Sequence, residues 1–288
     1  MNTAEELKEI VRQKYGEIAQ QANPQGVDCG CGPSSPGPSS PGPSSCCGPS
    51  SPGPANTDAT YSILMNDEYA TINGYSADAD LGLGCGLPTQ FAQIKPGDVV
   101  VDLGSGAGND CFVARAETGE TGRVIGLDMT PAMIDRARKN VKTLGYTNVE
   151  FVYGDVEDIP LPDNLADVVV SNCVMNLVPN KQKAFSETYR ILKSGGHFSI
   201  SDIVLIGELP PGLQQDAELY AGCVSGAIQQ DEYLRIVAEA GFRNVLIQKQ
   251  KAINLPQELL LNYLTADEIQ AYQQAGRGIF SITVFAEK

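Results

Sequence analysis

Apolar residues fall along this chain in rhythms that change at recognisable points. From Thr3 to Gln21 they recur at helical spacing, with Leu7, Ile10, Val11 and Ile18 on one face, and Thr3 and Glu6 stand at capping-box separation. From about Thr57 to Ile206, short β-branched runs alternate with helical stretches. Asp98–Leu103 (DVVVDL) and Arg123–Asp128 (RVIGLD) are continuous apolar runs of the kind a parallel sheet buries on both faces. Thr130-Pro131 opens a helix as N-cap and first-turn proline, and Gly145 closes it. Val149–Val152, Ala166–Ser171 and His197–Ile203 supply three further strands. Strands and helices alternating at this spacing predict an α/β fold built on a doubly wound parallel sheet. Beyond Gly207 the signal is mixed: helical over Leu213–Val224, Asp231–Ala240 and Pro256–Gln274, extended over Val245–Ile247 and Ile279–Ala286. A smaller α+β segment packed over the ligand-binding edge of the sheet is expected there.

Between the first helix and the α/β region the pattern disappears. Cys29-Gly30-Cys31 is followed by a near-repeat of Ser, Pro and Gly from Pro33 to Pro54, which carries Cys46-Cys47. Such a stretch cannot bury apolar area and is poor in backbone donors, so a flexible linker is expected. The predicted organisation is an N-terminal helix in 1–27, a linker in 28–56, a ligand-binding domain in 57–206 and the smaller segment in 207–288.

Composition narrows the function. Hydrophobic residues make up 42% of 288, enough for a substantial core. A net charge of -15 argues against nucleic acid and anionic membrane surfaces as partners. No apolar run is long enough to span a bilayer. Met1–Gln21 is charged throughout and lacks the apolar core of an export signal, so a cytoplasmic location is expected. In that reducing compartment the eight cysteines should be thiols, each a candidate ligand or nucleophile. A monomer is expected.

The first strand runs directly into Asp102-Leu-Gly104-Ser105-Gly106-Ala-Gly108. Glycines there allow a tight turn and a close backbone approach to a ligand. The G-x-G-x-G spacing, preceded by an acidic strand end, resembles the S-adenosylmethionine motif of class I methyltransferases. On that resemblance Asp128, with Met129 beside it, stands where the family binds the ribose hydroxyls. Gly154-Asp155-Val156 stands where it contacts adenine, and Asn172 at the edge of the same site. A nicotinamide cofactor suits the sequence less well, because the third glycine is misplaced for G-x-G-x-x-G.

An acid–base acceptor site should carry histidines or paired carboxylates, yet the only histidine, His197, lies inside a strand and reads as structural. Cysteines instead occupy the loops where a doubly wound sheet gathers its ligands: Cys85 in Leu81-Gly-Leu-Gly-Cys-Gly-Leu-Pro88, Cys173 in Ser171-Asn-Cys-Val-Met-Asn176, and Cys223 in Tyr220-Ala-Gly-Cys-Val-Ser-Gly226. These segments together are similar to those of arsenite methyltransferases, over roughly Tyr61–Gly241. The resemblance implies a Rossmann-like class I methyltransferase sheet in 57–206 and an arsenic-binding lid in 207–288. It further implies arsenite held by Cys85, Cys173 and Cys223, and stepwise methylation restored by a thiol reductant, glutathione or thioredoxin. As(III) is thiophilic, and its lone pair can attack a sulfonium methyl with no proton to remove. Family members often carry an N-terminal redox cysteine, a role that Cys46 or Cys47 could match. Cys111 reads as core.

Two other functions remain open at this level: a class I methyltransferase acting on oxygen or carbon of a quinone or sterol precursor, and a thiol-based metalloid store without catalysis. A zinc site of Cys29, Cys31, Cys46 and Cys47 lacks the paired C-x₂-C form.

Overall fold

Pairing among the β-branched runs gathers seven strands into one sheet in the computed structural model, which describes residues 3–20, 69–209, 226–255 and 257–288. In chain order the strands are β1 (Val99–Leu103), β2 (Arg123–Asp128), β3 (Val149–Tyr153), β4 (Ala166–Asn172), β5 (Leu192–Ile206), β6 (Arg243–Ala252) and β7 (Gly278–Glu287). Their order across the sheet is β3-β2-β1-β4-β5-β7-β6, with β1 to β5 parallel and β7 antiparallel to both neighbours. The chain therefore reverses direction across the sheet between β1 and β4, the switch point where such sheets open a crevice at their carboxyl ends.

Among the described residues the α-helices are α1 (Ala4–Gln20), α2 (Pro88–Phe91), α3 (Asn109–Thr118), α4 (Pro131–Leu144), α5 (Lys181–Ile191), α6 (Gln230–Glu239), α7 (Gln257–Leu260) and α8 (Ala266–Gln274). Alternation along β1 divides the core into two layers. Val101 and Leu103 pack with Phe185 of α5 and Ile236 of α6. Val100 packs with Phe112 of α3 and Ile134 of α4 on the opposite face. Helices thus cover both faces, which is why these strands read as unbroken apolar runs.

Local signals placed most boundaries. Thr3 and Glu6 form the reciprocal capping bonds, at 2.6 and 3.3 Å. Pro131 opens α4 and Gly145, at φ 71°, closes it, although the Thr130 side chain makes no capping bond. Three differences have physical causes. The expected helix over 256–274 is broken, because Thr265 and Glu268 form a second capping box that restarts it as α8, with bonds of 2.8 and 3.3 Å. Strands β5 and β6 outrun the predicted His197–Ile203 and Val245–Ile247. The last two strands join the main sheet rather than stand apart from it, with β5 paired to β7 from His197↔Glu287 to Ile206↔Gly278. The lengthened strands satisfy edge groups that a shorter β5 would leave unpaired. The expected linker in 28–56 and helix Leu213–Val224 lie outside the described residues.

Candidate active site

The carboxyl ends of β1 to β4 open on one cleft. Its wall contains Asp102, Gly104, Ser105, Gly106, Asp128, Met129, Gly154, Asp155, Val156, Asn172 and Cys173. Apart from Cys173, expected as an arsenic ligand, these are the predicted cofactor residues with one exception. Gly108, at φ 100°, stands behind the loop, where an added Cβ would lie 2.7 Å from the Phe151 ring and 2.9 Å from that of Phe112. Its work is to let the turn pack on the core. Gly108→Ala should therefore lower stability by about 2–4 kcal/mol, combining left-handed strain and overpacking, as read by chemical denaturation.

The glycine turn is held from the next strand. Asp128 accepts the amide of Gly106 at 2.9 Å with one oxygen and that of Thr130 at 2.8 Å with the other. Each oxygen keeps a lone pair for a ligand hydroxyl. At Gly106, φ 52°, a Cβ would project into open space, and the buried Ser105 hydroxyl beside it has no hydrogen-bond partner among the described residues. An open cradle with an unsatisfied polar atom suits a ligand with polar groups of its own.

The cleft is acidic. Asp102 is buried and accepts a bond from the Cys111 thiol at 3.2 Å, which makes Cys111 a core residue with a polar contact. Burial, then the charge of Asp110, pushes the Asp102 carboxyl well above the usual range, and burial also raises Asp128. Burial pushes Asp110 up to about 6, against bonds from Asn172 and Tyr69 that favour its charged form. A cationic ligand would relieve this crowding, as the sulfonium and ammonium groups of S-adenosylmethionine could.

The raised Asp110 has a consequence for stability. Between the ordinary carboxylate value of 3.8 and about 6, the native protein keeps a proton that the unfolded chain has released. Stability from this group is then present at low pH and lost as pH rises through that window. Asp110→Asn should remove the loss, so thermal melts should show the variant gaining on the wild type from pH 4 to pH 7, roughly the limits of that window.

From α1, Lys8, Val11 and Tyr15 complete the cleft. Lys8 reaches Asp155 at 2.7 Å and Glu157 at 2.9 Å. Burial opposes the Lys8 ammonium, but the bonds to these two carboxylates outweigh it and its pKa is raised. Lys8→Ala should release α1, seen as faster hydrogen exchange over residues 4–20 with the sheet unchanged.

At the end of β4 the cysteine segments meet. Asn172 accepts the amides of Cys85 and Gly86 at 3.0 and 3.2 Å and donates to Tyr69 at 2.6 Å, to the Gly86 carbonyl at 2.9 Å and to Asp110 at 3.1 Å. The glycines flanking Cys85 permit that approach: a Cβ at Gly84 would stand 2.8 Å from the Asn172 amide, and one at Gly86 2.3 Å from the Ser201 hydroxyl. Ser281 of β7 donates to the Cys85 carbonyl. Cys173 is left-handed at φ 62°, and its amide donates to Ser201 at 2.8 Å. A non-glycine residue in that conformation is strained, and its neighbours must hold it there.

The Cys85 and Cys173 sulfurs and a carboxylate oxygen of Asp202 lie within 4.8 Å of one another, all three residues buried. Ile203, Leu205, Ala227, Ile253 and Ile279 enclose the thiols in an apolar cluster. Burial pushes Asp202 up to about 7, offset in part by the charge of Lys181, and the Tyr233 hydroxyl donates to it at 3.3 Å. Cys223, Cys46 and Cys47, with Cys29 and Cys31, lie outside the described residues. His197 is structural as expected, its Nε2 2.6 Å from the Ala92 carbonyl and its ring against Phe285. Asp202, Tyr69, Asp110 and Lys8 also stand in or beside the site, outside every motif of the sequence. Asp202 had a signal, a single charge inside the strand Phe198-Ser-Ile-Ser-Asp-Ile-Val-Leu205; the others had none short of the fold.

Residues 94–241 match a family model described as a methyltransferase domain. An arsenite methyltransferase from Halobacterium salinarum is 43% identical over 243 residues, 84% of this chain and 59% of its own. The human arsenite methyltransferase is 38% identical over 152 residues, 50% of this chain and 40% of its own. The crystal structure of CrArsM, an arsenic(III) S-adenosylmethionine methyltransferase from Chlamydomonas reinhardtii, aligns with a TM-score of 0.58 at 31% identity, covering 83% of this chain and 75% of that one. The chain belongs to the methyltransferase-domain family, and over most of its length it is similar to proteins named as arsenite methyltransferases. It spans 59% and 40% of the length of the two curated relatives above. Among the described residues, no helix is long and apolar enough to cross a membrane.

Proposed function

We propose that this chain transfers methyl groups from S-adenosylmethionine to trivalent arsenic held by Cys85, Cys173 and Cys223. The observation that carries the reading is the meeting of two thiols, from segments far apart in sequence, at the rim of a cleft built on a glycine turn. The relatives named as arsenite methyltransferases support the same substrate.

S-adenosylmethionine would supply an electrophilic methyl carbon. Asp128, Ser105 and the Gly104–Gly106 turn would bind and orient it, and the carboxylates of the cleft would balance its positive charge. Cys85 and Cys173 present soft donors to a thiophilic centre. The apolar cluster behind them excludes water, and no general base is needed because the nucleophile is a lone pair rather than an O–H or N–H. Each As–S bond forms as a thiol proton leaves with an arsenite hydroxyl as water. Attack on the methyl carbon releases S-adenosylhomocysteine and leaves arsenic pentavalent. Two cysteine thiols, with Cys46 or Cys47 as the internal partner, return it to the trivalent state as they form a disulfide, which a thiol reductant, glutathione or thioredoxin, reduces between rounds. The proposal includes a monomer acting in the cytoplasm to detoxify arsenic.

The test is incubation of the chain with arsenite, S-adenosylmethionine and glutathione, followed by arsenic speciation. Methylated arsenicals that require all three components are expected. Inorganic arsenite recovered unchanged, with the cofactor bound, would refute the substrate.

A further inference from the structure

Asp202 has no part in a sulfur-only arsenic site, yet its carboxylate is turned toward the same point as the two thiols. We propose that Cys85, Cys173 and Asp202 form a binding site for a thiophilic divalent cation, zinc(II) or cadmium(II), and that such a cation inhibits the chain by occupying the arsenic position. The inhibition rests on the function proposed above; the binding of the cation does not.

Three observations carry it. First, the donors are two sulfurs and one carboxylate oxygen, a set that zinc accepts, whereas trivalent arsenic selects sulfur. Second, the three donor atoms lie within 4.8 Å of one another. Ligands of a tetrahedral zinc ion, at about 2.0–2.3 Å from the metal, are roughly 3.3–3.8 Å apart, so side-chain movements of about 1 Å close the site. Third, the donors are already oriented by their own partners. Asn172 and Ser281 hold the backbone of Cys85, Ser201 holds the left-handed Cys173, and Tyr233 donates to Asp202. Outer partners of this kind fix ligand direction and strengthen metal sites.

The surroundings also favour a cation over three separate acids. Ile203, Leu205, Ala227, Ile253 and Ile279 leave the donors little water for solvating negative charge. Binding releases to solvent the two thiol protons, and that of Asp202 where its carboxyl is protonated, and places a dication among two thiolates and a carboxylate. The net charge left is -1, opposite the ammonium of Lys181, whose field reaches Asp202. Three protein donors leave one tetrahedral position open for water. A cation there would fill the space in which the two thiols could hold arsenic.

The test uses the full chain and reads cysteine alkylation residue by residue through peptide mapping. Zinc(II) at one equivalent should slow alkylation of Cys85 and Cys173 at least about tenfold, a change typical of a liganded thiolate. In Asp202→Asn, the zinc concentration giving the same protection should rise about 10–100-fold, while protection by arsenite should stay within about twofold, because only zinc uses the carboxylate. Equal zinc protection in wild type and variant would overturn the proposal, as would no protection of these two cysteines in the wild type. Loss of arsenite protection with zinc protection retained would instead count against the arsenic reading and leave the cation site standing. Should the variant fail to fold, X-ray absorption of the wild type with one equivalent of zinc decides. Two sulfur and two lighter neighbours are expected. A shell of sulfur alone would assign the metal to other cysteines and overturn the inference.

Discussion

Replacing Cys173 by serine should abolish arsenic methylation while leaving S-adenosylmethionine affinity within about twofold of wild type. The thiol sits at the left-handed turn after β4, and its sulfur points to the position shared with Cys85. A hydroxyl of similar size keeps the turn, but it is a hard and poorly ionised donor that a thiophilic centre does not accept. Removing one of the proposed arsenic ligands should reduce kcat/KM at least about a hundredfold, near 2.7 kcal/mol of transition-state stabilisation. Cofactor affinity should persist because the glycine turn and Asp128 are untouched. Speciation of arsenic with a parallel calorimetric titration of S-adenosylhomocysteine checks both halves. Full activity in the variant would remove the cysteines from the chemistry.

Asp128→Ala should have the opposite profile. This carboxylate holds the amides of Gly106 and Thr130 and keeps lone pairs for the hydroxyls of a ligand, the ribose hydroxyls in the function proposed above. Its removal withdraws charge-assisted hydrogen bonds worth about 1.5–3 kcal/mol, so cofactor affinity should fall about 10–100-fold. The turn should also loosen, because two amides lose their acceptor. Arsenite should still protect Cys85 and Cys173 from alkylation, since that pair is held through Asn172 and Ser201. Unchanged affinity by calorimetry would exclude Asp128 from the site.

The α/β layering was legible because strands buried on both faces must be apolar throughout, as DVVVDL and RVIGLD are. The glycine turn was legible for a related reason: a loop that packs against Val174 at Gly104 and against Phe112 and Phe151 at Gly108 leaves no room for a Cβ, so the constraint is written as residue identity. Cys85 and Cys173 were legible as candidates through the segments around them.

What depends on neighbours along the chain could be read without coordinates: strand and helix rhythm, the Thr3–Glu6 capping box, the glycine turn and which residues could donate sulfur. The tertiary structure decided what depends on distant pairing. It placed β7 along the whole of β5, brought Lys8 across to Asp155, and tied Tyr69 and Asp110 to Asn172. It also set Asp202 beside two thiols. Most of these contacts join residues 62 to 147 positions apart, and their geometry is fixed by how the layers pack. A lone aspartate in an apolar strand shows that something must compensate a buried charge; only the folded sheet shows that two sulfurs stand beside it.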